Sequence, residues 1–184
     1  MRGFSLIEVL IVTSVTLCIA ATAIPKFVNT MANVELRAGI RSASGILQQT
    51  RSQAIKDNKS YKTRYTNGTG GGIVYADLND NGHPDANEPQ AQMGTTVLAY
   101  SAPSGIPALG STDLDYTPTT TTALAFSSTG QPCTTSGLST SCAVGMVIYF
   151  TDTRVVGAPG WAAVTVSPAG RVATWMWTGS SWSQ

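Results

Sequence analysis

The sequence predicts an α+β fold, in which a long N-terminal helix packs on an antiparallel β-sheet head domain. Three observations support this prediction. An apolar run extends from Phe4 to Ile24, a stripe of apolar residues at helical spacing follows it, and short β-type runs fill the rest of the chain. With 184 residues, of which 11% are charged, the chain has room for one membrane segment and one modest domain.

The apolar run has the length of a transmembrane helix. At about 1.5 Å per residue, a helix from Phe4 to Ile24 is roughly 31 Å long, which is enough to cross a bilayer core. One carboxylate, Glu8, lies inside it. A charge at the centre of such a helix costs on the order of 2.5 to 3.5 kcal/mol, so Glu8 indicates a function and requires a cationic partner. Cleavage between Gly3 and Phe4 would supply that cation as the new α-amine of Phe4, in the same chain or in a neighbouring subunit.

An ordinary secretory signal is the alternative interpretation of this segment. Arg2 gives it a basic start, and Ala21-Thr22-Ala23 has the small residues of a cleavage site. Glu8 argues against this interpretation, because a charge one turn into the apolar region would weaken a signal peptide.

The second half of the helix is predicted to be amphipathic. Its apolar positions recur at spacings of three and four residues, which places them on one face. They are Leu36, Ile40, Ala43, Leu47, Thr50 and Ala54. We therefore expect one helix from Phe4 to about Lys56, whose first half lies in lipid and whose second half lies in the core. Asp57-Asn58 should end it.

The rest of the chain is predicted to be mainly β-structure, because short runs of β-forming residues alternate with Gly, Pro and Ser clusters. The predicted strands are Tyr61–Tyr65, Gly72–Ala76, Thr96–Tyr100, Ala123–Ser127, Val144–Thr151, Trp161–Val166 and Arg171–Trp177. Between them, Ser101–Thr122 is a Pro-, Ser- and Thr-rich loop that is either functional or merely mobile.

Charge is distributed unevenly, although the net charge is only +1. Most of the basic residues lie between Lys26 and Arg64, and most of the acidic residues lie from Asp77 onward. This polarity fits packing of one molecule's long helix, which we call the stem, against another molecule's β-sheet head. It also fits two faces that are simply solvated. A basic stripe for nucleic acid is a weaker interpretation, because the same face would also be needed for packing against another subunit.

Two of the three cysteines are expected to form a disulfide. Cys133 and Cys142 flank a short Ser- and Thr-rich loop, and both lie outside the cytoplasm if Arg2 holds the N-terminus inside. Such a bridge contributes about 2 to 3 kcal/mol. Cys18 lies in the membrane segment and should stay reduced. We predict no enzymatic activity, since His83 is the single histidine and no Gly-x-Ser-x-Gly pattern is present.

Residues 77–88 have the Asp-x-Asn-x-Asn-Gly-x5-Glu spacing of a calcium loop. Gly82 would make the sharp turn, and oxygen ligands suit calcium. The expected ligands are Asp77, Asn79, Asn81, the backbone carbonyl of His83, Asp85 and Glu88. The sequence therefore predicts a structural calcium ion as a candidate cofactor. The alternative is an Asn-, Asp- and Gly-rich turn whose side chains cap their own backbone.

The N-terminal segment Gly3-Phe4-Ser5-Leu6-Ile7-Glu8 resembles the processing signal of type IV pilins and type II secretion pseudopilins. The resemblance implies a leader of residues 1–3 that prepilin peptidase removes, and methylation of Phe4. It also implies that Glu8 and Phe4 act in filament assembly. The remaining parts are then a transmembrane half-helix (4–24), an amphipathic half-helix (25–57) and a β-rich head (58–184).

The second half of the chain is similar to H-type minor pilins and pseudopilins, the FimT/FimU/GspH group. The similarity rests on Val74 to Gly82, Phe126-Ser127-Ser128-Thr129-Gly130 and Gly170-Arg171-Val172. It implies a minor subunit that primes or caps a type IV pilus, or alternatively a type II secretion pseudopilin. The expected partners are other pilins, prepilin peptidase and the inner membrane before assembly. The expected location is the inner membrane with the head in the periplasm, and then the filament, at its tip.

A DNA-binding or adhesive tip protein is a further alternative. Some pilus members of the group that bind DNA carry Gly-Arg-x-Arg, whereas here Gly170-Arg171-Val172 is followed by Ala173. Arg171 is therefore the one candidate nucleic-acid contact in this motif, and the missing guanidinium argues against DNA binding. An aromatic binding surface is the other possibility, although aromatic residues on an edge strand more often cover a sheet. The residues concerned are Trp175, Trp177 and Trp182.

Overall fold

The computed structural model describes residues 5–68, 70–121, 123–136, 139–154 and 160–184. Helix α1 extends over 52 residues, from Leu6 to Asp57. Its end was predicted correctly. Asn58 adopts the left-handed conformation (φ 52°), and its N–H reaches the carbonyls of Ala54 and Ile55, which satisfies the last turn of the helix. The predicted leader 1–3 and Phe4 lie outside the described residues.

The two halves of α1 have different surroundings. From Leu6 to Ile24 the large apolar side chains are exposed, and the most apolar window of the helix contains no buried residue. By length and composition this segment is able to cross a membrane. In the second half, the predicted stripe from Leu36 to Ala54 is buried. The predicted change from an exposed apolar half to an amphipathic half is therefore observed.

In the part of the head that the structure describes, twelve strands form two sheets. The strands are β1 (Tyr61–Gly68), β2 (Gly71–Asp77), β3 (Gln90–Gln92), β4 (Val97–Tyr100), β5 (Thr119–Thr120), β6 (Ala123–Phe126), β7 (Pro132–Ser136), β8 (Ser139–Cys142), β9 (Met146–Asp152), β10 (Trp161–Val166), β11 (Val172–Trp177) and β12 (Trp182–Ser183). The first sheet has the order β3-β2-β1-β6-β7-β8 and the second has β12-β11-β10-β9-β4. The pairs along both orders are antiparallel, while β5 pairs parallel to β9.

All seven predicted strands are present, and the observed α+β architecture confirms the predicted fold class. The strands that the sequence did not predict are β3, β5, β7, β8 and β12. Three of them contain only two or three residues, and β7 and β8 are rich in Ser and Thr without apolar alternation. Their pairing comes from tertiary context rather than from local pattern.

The buried stripe of α1 packs against both sheets and forms the main core with them. The approach between the helix and the β3–β4 connection is close. A Cβ at Gly39 would lie 2.6 Å from the backbone oxygen of Met93. Gly94 has φ 122°, and a Cβ there would overlap Glu35. The small residues therefore let the helix dock directly on this part of the head.

A second apolar cluster covers the outer face of the second sheet. The long loop after β4 packs there through Leu109 and Leu114, both buried. Tyr149 accepts a hydrogen bond from the Leu109 N–H at 2.9 Å, and Trp182 Nε1 donates to the Pro107 carbonyl at 2.9 Å. The described part of this loop is thus a packed cover for the sheet. The C-terminal tryptophans contribute to the same cover, which fits the sheet-covering interpretation.

Candidate functional site

The N-terminal end of α1 exposes the residue on which the assembly prediction depends. The Glu8 N–H donates to the Ser5 carbonyl at 3.0 Å, which places Glu8 in the first turn. Its side chain is exposed beside Val9 and Val12, and it forms no ion pair with any residue that the structure describes. Such a carboxylate in an apolar helix is available to a cation from outside the described chain.

The predicted processing residues, Gly3 and Phe4, lie outside the described residues, so cleavage and methylation stay predictions. Cys18 lies on the exposed half of the helix and is a free cysteine. That it stays reduced remains a prediction.

The predicted disulfide is confirmed. Cys133 on β7 and Cys142 on β8 are bonded and lie directly opposite each other in the antiparallel pair. Cys133 is buried. The bridge therefore holds the β7–β8 hairpin at the edge of the first sheet, as the sequence predicted for a connection between two strands.

The predicted calcium loop forms a closed turn. The carboxylate of Asp77 is fully buried and accepts the N–H groups of Asn81 and Gly82, both at 3.1 Å. Glu88 folds back to accept the Leu78 N–H at 2.7 Å, which brings the two ends of the loop together. The side-chain amides of Asn79 and Asn81 both donate to one oxygen of Asp85 at 2.7 Å. His83 donates its N–H to the Asn81 side chain at 2.8 Å.

The side chains expected to bind calcium already have partners within the protein. Arg64 Nε lies 2.5 Å from Asp77 Oδ2, so a guanidinium occupies the carboxylate that would be the first calcium ligand. In the described ranges, no three His, Cys, Asp or Glu side chains are grouped so that they could hold a metal ion. Calcium would have to displace Arg64 and realign the loop side chains. Calcium binding here stays a prediction, and the turn accounts for the contacts that are observed.

An ion-pair cluster that the sequence analysis missed joins the stem to the head; we call it the stem latch, formed by Glu35, Asp152 and Arg154. Arg154 bridges Glu35 on α1 and Asp152 at the end of β9, with 2.7 Å between its Nη2 and Asp152 Oδ2. Glu35 also accepts the Thr95 N–H at 3.1 Å. Glu35 and Arg154 are 119 residues apart, and no local motif in the sequence connects residues at that separation.

Asp152 is the buried member of the stem latch, with no exposed side-chain surface. Burial by itself raises the pKa of its carboxyl group. Hydrogen bonds from Arg154 and from Thr96 Oγ1, the latter at 2.9 Å, outweigh burial and hold the pKa of Asp152 below its ordinary value. The carboxylate therefore stays ionised inside the protein and depends on Arg154 for its charge compensation.

The candidate nucleic-acid contact lies at a turn. Gly170 has φ 81°, which suits a glycine in the left-handed region, and Arg171 next to it is exposed. Arg51 from the stem packs under this turn and donates to the Gly130 carbonyl at 2.9 Å. These contacts match the interpretation of Gly170 as a turn glycine and of Arg171 as an arginine at a strand edge.

Similarity to known proteins indicates the family of this chain. Two crystal forms of the Pseudomonas aeruginosa type IV minor pilin FimU each share 14% identity and a TM-score of 0.47 with this chain. The alignments cover 82% of this chain and 93% of FimU in one form, and 81% and 98% in the other. The sequence has no significant match among curated proteins.

A sequence profile described as "Type II transport protein GspH" matches residues 40–172. This match covers more than two thirds of the chain and includes the second half of α1 and most of the head. Proteins of this kind are structural subunits that assemble with other pilins in a filament and are not enzymes. The chain therefore belongs to the GspH family and is a pilin-like protein, a minor pilin or pseudopilin.

Proposed function

We propose that this protein is a minor subunit that primes or caps a type IV pilus filament. The observation that carries the proposal is the form of α1. Its first half is apolar and exposed and carries Glu8, while its second half is bound into the head. Such a helix can lie in lipid before assembly and can pack among the helices of other subunits afterwards. The similarity to the H-type minor group favours a role at the tip.

Processing and location follow from the same proposal. Prepilin peptidase would remove residues 1–3 on the cytoplasmic side, and Phe4 would then be methylated. The inner membrane would hold the protein through residues 4–24, with the head in the periplasm. The Cys133–Cys142 disulfide supports this orientation, because disulfides persist in oxidising compartments such as the periplasm.

A type II secretion pseudopilin is the second candidate, and the description of the matching family favours it. The two systems use the same kind of stem, so the distinction lies in which filament contains the protein. Deletion of the gene separates them. Loss of surface pili and twitching with normal protein secretion supports the pilus, and the reverse result supports the secretion system.

The role of Glu8 tests the filament proposal. Glu8→Ala should leave processing largely intact but reduce incorporation into sheared filaments, because the carboxylate no longer meets an amine on another subunit. Ser14→Ala is the matched control, since Ser14 is also a polar residue on the exposed half, and its hydroxyl donates to the Leu10 carbonyl of its own helix. Normal incorporation of the Glu8→Ala protein would refute the role of Glu8.

A further inference from the structure

A cleft of about 240 Å³ lies on the outer face of the second sheet, between the long loop after β4 and strands β10 and β11. We call it the acidic cleft. Its charged and aromatic lining consists of Asp113, Asp115, Tyr116, Arg171 and Trp175. Small-molecule sites usually measure about 300 to 1,000 Å³. The acidic cleft is smaller, which suits a single side chain better than a whole ligand.

The lining has the chemistry of a cation site. Asp113 and Asp115 are exposed and form no ion pair with any described residue. Asp113 is held in place because its Oδ2 accepts the Gly110 N–H at 3.1 Å. Trp175 is fixed by a hydrogen bond from its Nε1 to Thr165 Oγ1 at 3.1 Å. The fixed carboxylate of Asp113 and the exposed carboxylate of Asp115, beside aromatic rings, attract a guanidinium or an ammonium group.

Arg171 supplies one positive charge at the edge of the acidic cleft. Two carboxylates and one guanidinium leave the lining net negative, so one further cation from outside would balance it. Each of these groups is at the surface, where pairing with a partner of opposite charge decides which partner binds and in what register.

The stem carries a surface of matching charge. Val34, Arg37 and Arg41 follow one another at spacings of three and four residues, so they lie on one face of α1. All three side chains are exposed, and the two arginines form no ion pair among the described residues. Phe27 is also exposed, three residues beyond the membrane segment. A pilin stem of this kind therefore offers guanidinium groups beside apolar side chains.

We propose that the acidic cleft receives an arginine or lysine from the stem of the adjacent pilin-like subunit. The proposal rests on membership of a filament, but not on the choice between pilus and secretion system. The contact joins two different surfaces, a head and a stem, so it is heterologous and can repeat along a helical assembly without closing into a ring. The head of this protein then fixes the position of its neighbour through one side chain.

Photo-cross-linking in the native host reads this contact directly. A benzophenone amino acid replaces the exposed Thr112, next to Asp113, and the cross-linked peptide is sequenced. We expect a peptide from the N-terminal helix of a pilin-like subunit that carries Arg or Lys outside its membrane segment. The same amino acid in place of Thr66, which is exposed on the first sheet, is the positional control. No adduct from position 112, or an adduct with head peptides alone, would overturn the proposal.

Charge variants at the acidic cleft test whether the carboxylates cause the contact. Asp113→Asn with Asp115→Asn keeps the side-chain size and an acceptor for the Gly110 N–H, and should lower the yield of adduct by about tenfold. Asp113→Glu with Asp115→Glu keeps the negative charge and should retain most of the yield of adduct. Equal yields from both variants would overturn the role of the carboxylates.

Recovery of the unmutated protein in sheared filaments is scored separately. A stem adduct formed in the membrane by a protein that is absent from filaments supports the contact and contradicts the proposed function. A protein that is present in filaments but gives no adduct contradicts the contact alone.

Discussion

Replacement of Arg154 by alanine tests whether the stem latch holds the head on the helix. The substitution removes the guanidinium that bridges Glu35 and Asp152. Among the described residues, the partners that the buried carboxylate of Asp152 then keeps are the Thr96 hydroxyl, at 2.9 Å, and the backbone N–H of residue 154, also at 2.9 Å. An ionised group inside the protein would thus lose its compensating charge, so we expect a lower free energy of unfolding.

The exposure of the three side chains determines how much free energy of unfolding the substitution should cost. Removal of one partner from a fully buried ion pair costs about 3 to 5 kcal/mol, whereas an exposed pair contributes about 0.2 to 1 kcal/mol. Asp152 has no exposed side-chain surface, but Arg154 and Glu35 are 34% and 30% exposed. We therefore expect an intermediate loss of about 2 kcal/mol. For a protein of this size, that loss lowers Tm by about 4 to 8 °C.

Thermal unfolding of the full chain in detergent, followed by circular dichroism of the head's aromatic side chains, measures the loss. Arg171→Ala is the matched control, because Arg171 is exposed and forms no ion pair in the described part of the chain. It should change stability by less than about 0.5 kcal/mol. An Arg154→Ala protein that melts together with this control would refute the reasoning.

The stability difference also depends on pH. The pKa of Asp152 is lowered in the folded protein, so its contribution is complete above the ordinary value of 3.8 and is lost as the pH falls through the lowered value. The free energies of unfolding of the unmutated and Arg154→Ala proteins should therefore differ by the full amount at neutral pH, and this difference should become smaller below about pH 4.

Two further predictions concern the head. Replacing Cys133 and Cys142 by Ser should lower the free energy of unfolding by about 2 to 3 kcal/mol in the same melting assay, because the hairpin is no longer tied; a melt equal to that of Cys18→Ser would contradict this. If residues 77–88 bind calcium, millimolar calcium should raise Tm, and the rise should be larger for Arg64→Gln, in which no guanidinium competes for Asp77. Asp77→Asn should abolish the rise. If calcium raises Tm neither in the unmutated protein nor in Arg64→Gln, the calcium prediction is wrong and the loop is a turn.

Much of the fold could be predicted because its signals are local. The exposed apolar half of α1, the buried stripe from Leu36 to Ala54 and the left-handed Asn58 each follow from residue type and spacing within a few turns. The same holds for strands such as β9 and β10, which are rich in β-branched and aromatic residues. The short strand β5 could not be predicted, since two threonines carry no periodicity and their pairing depends on β9.

The candidate sites were less predictable, because they join distant parts of the chain. The disulfide was predicted from two cysteines on either side of one short loop. Arg154 and Glu35 meet only because α1 docks beside the end of β9, and the acidic cleft exists only because the long loop folds over the second sheet. Likewise, the calcium pattern within residues 77–88 gave no sign that Arg64, on a neighbouring strand, lies against Asp77.

The intact mass of the protein recovered from sheared filaments tests the central claim most directly, because it reports location and processing together. If the protein is a filament subunit of this kind, we expect a chain that lacks residues 1–3, begins at Phe4 and carries one additional methyl group. A protein that is missing from filaments, or whose chain begins near Ile24 after cleavage as a secretory signal, would contradict the account.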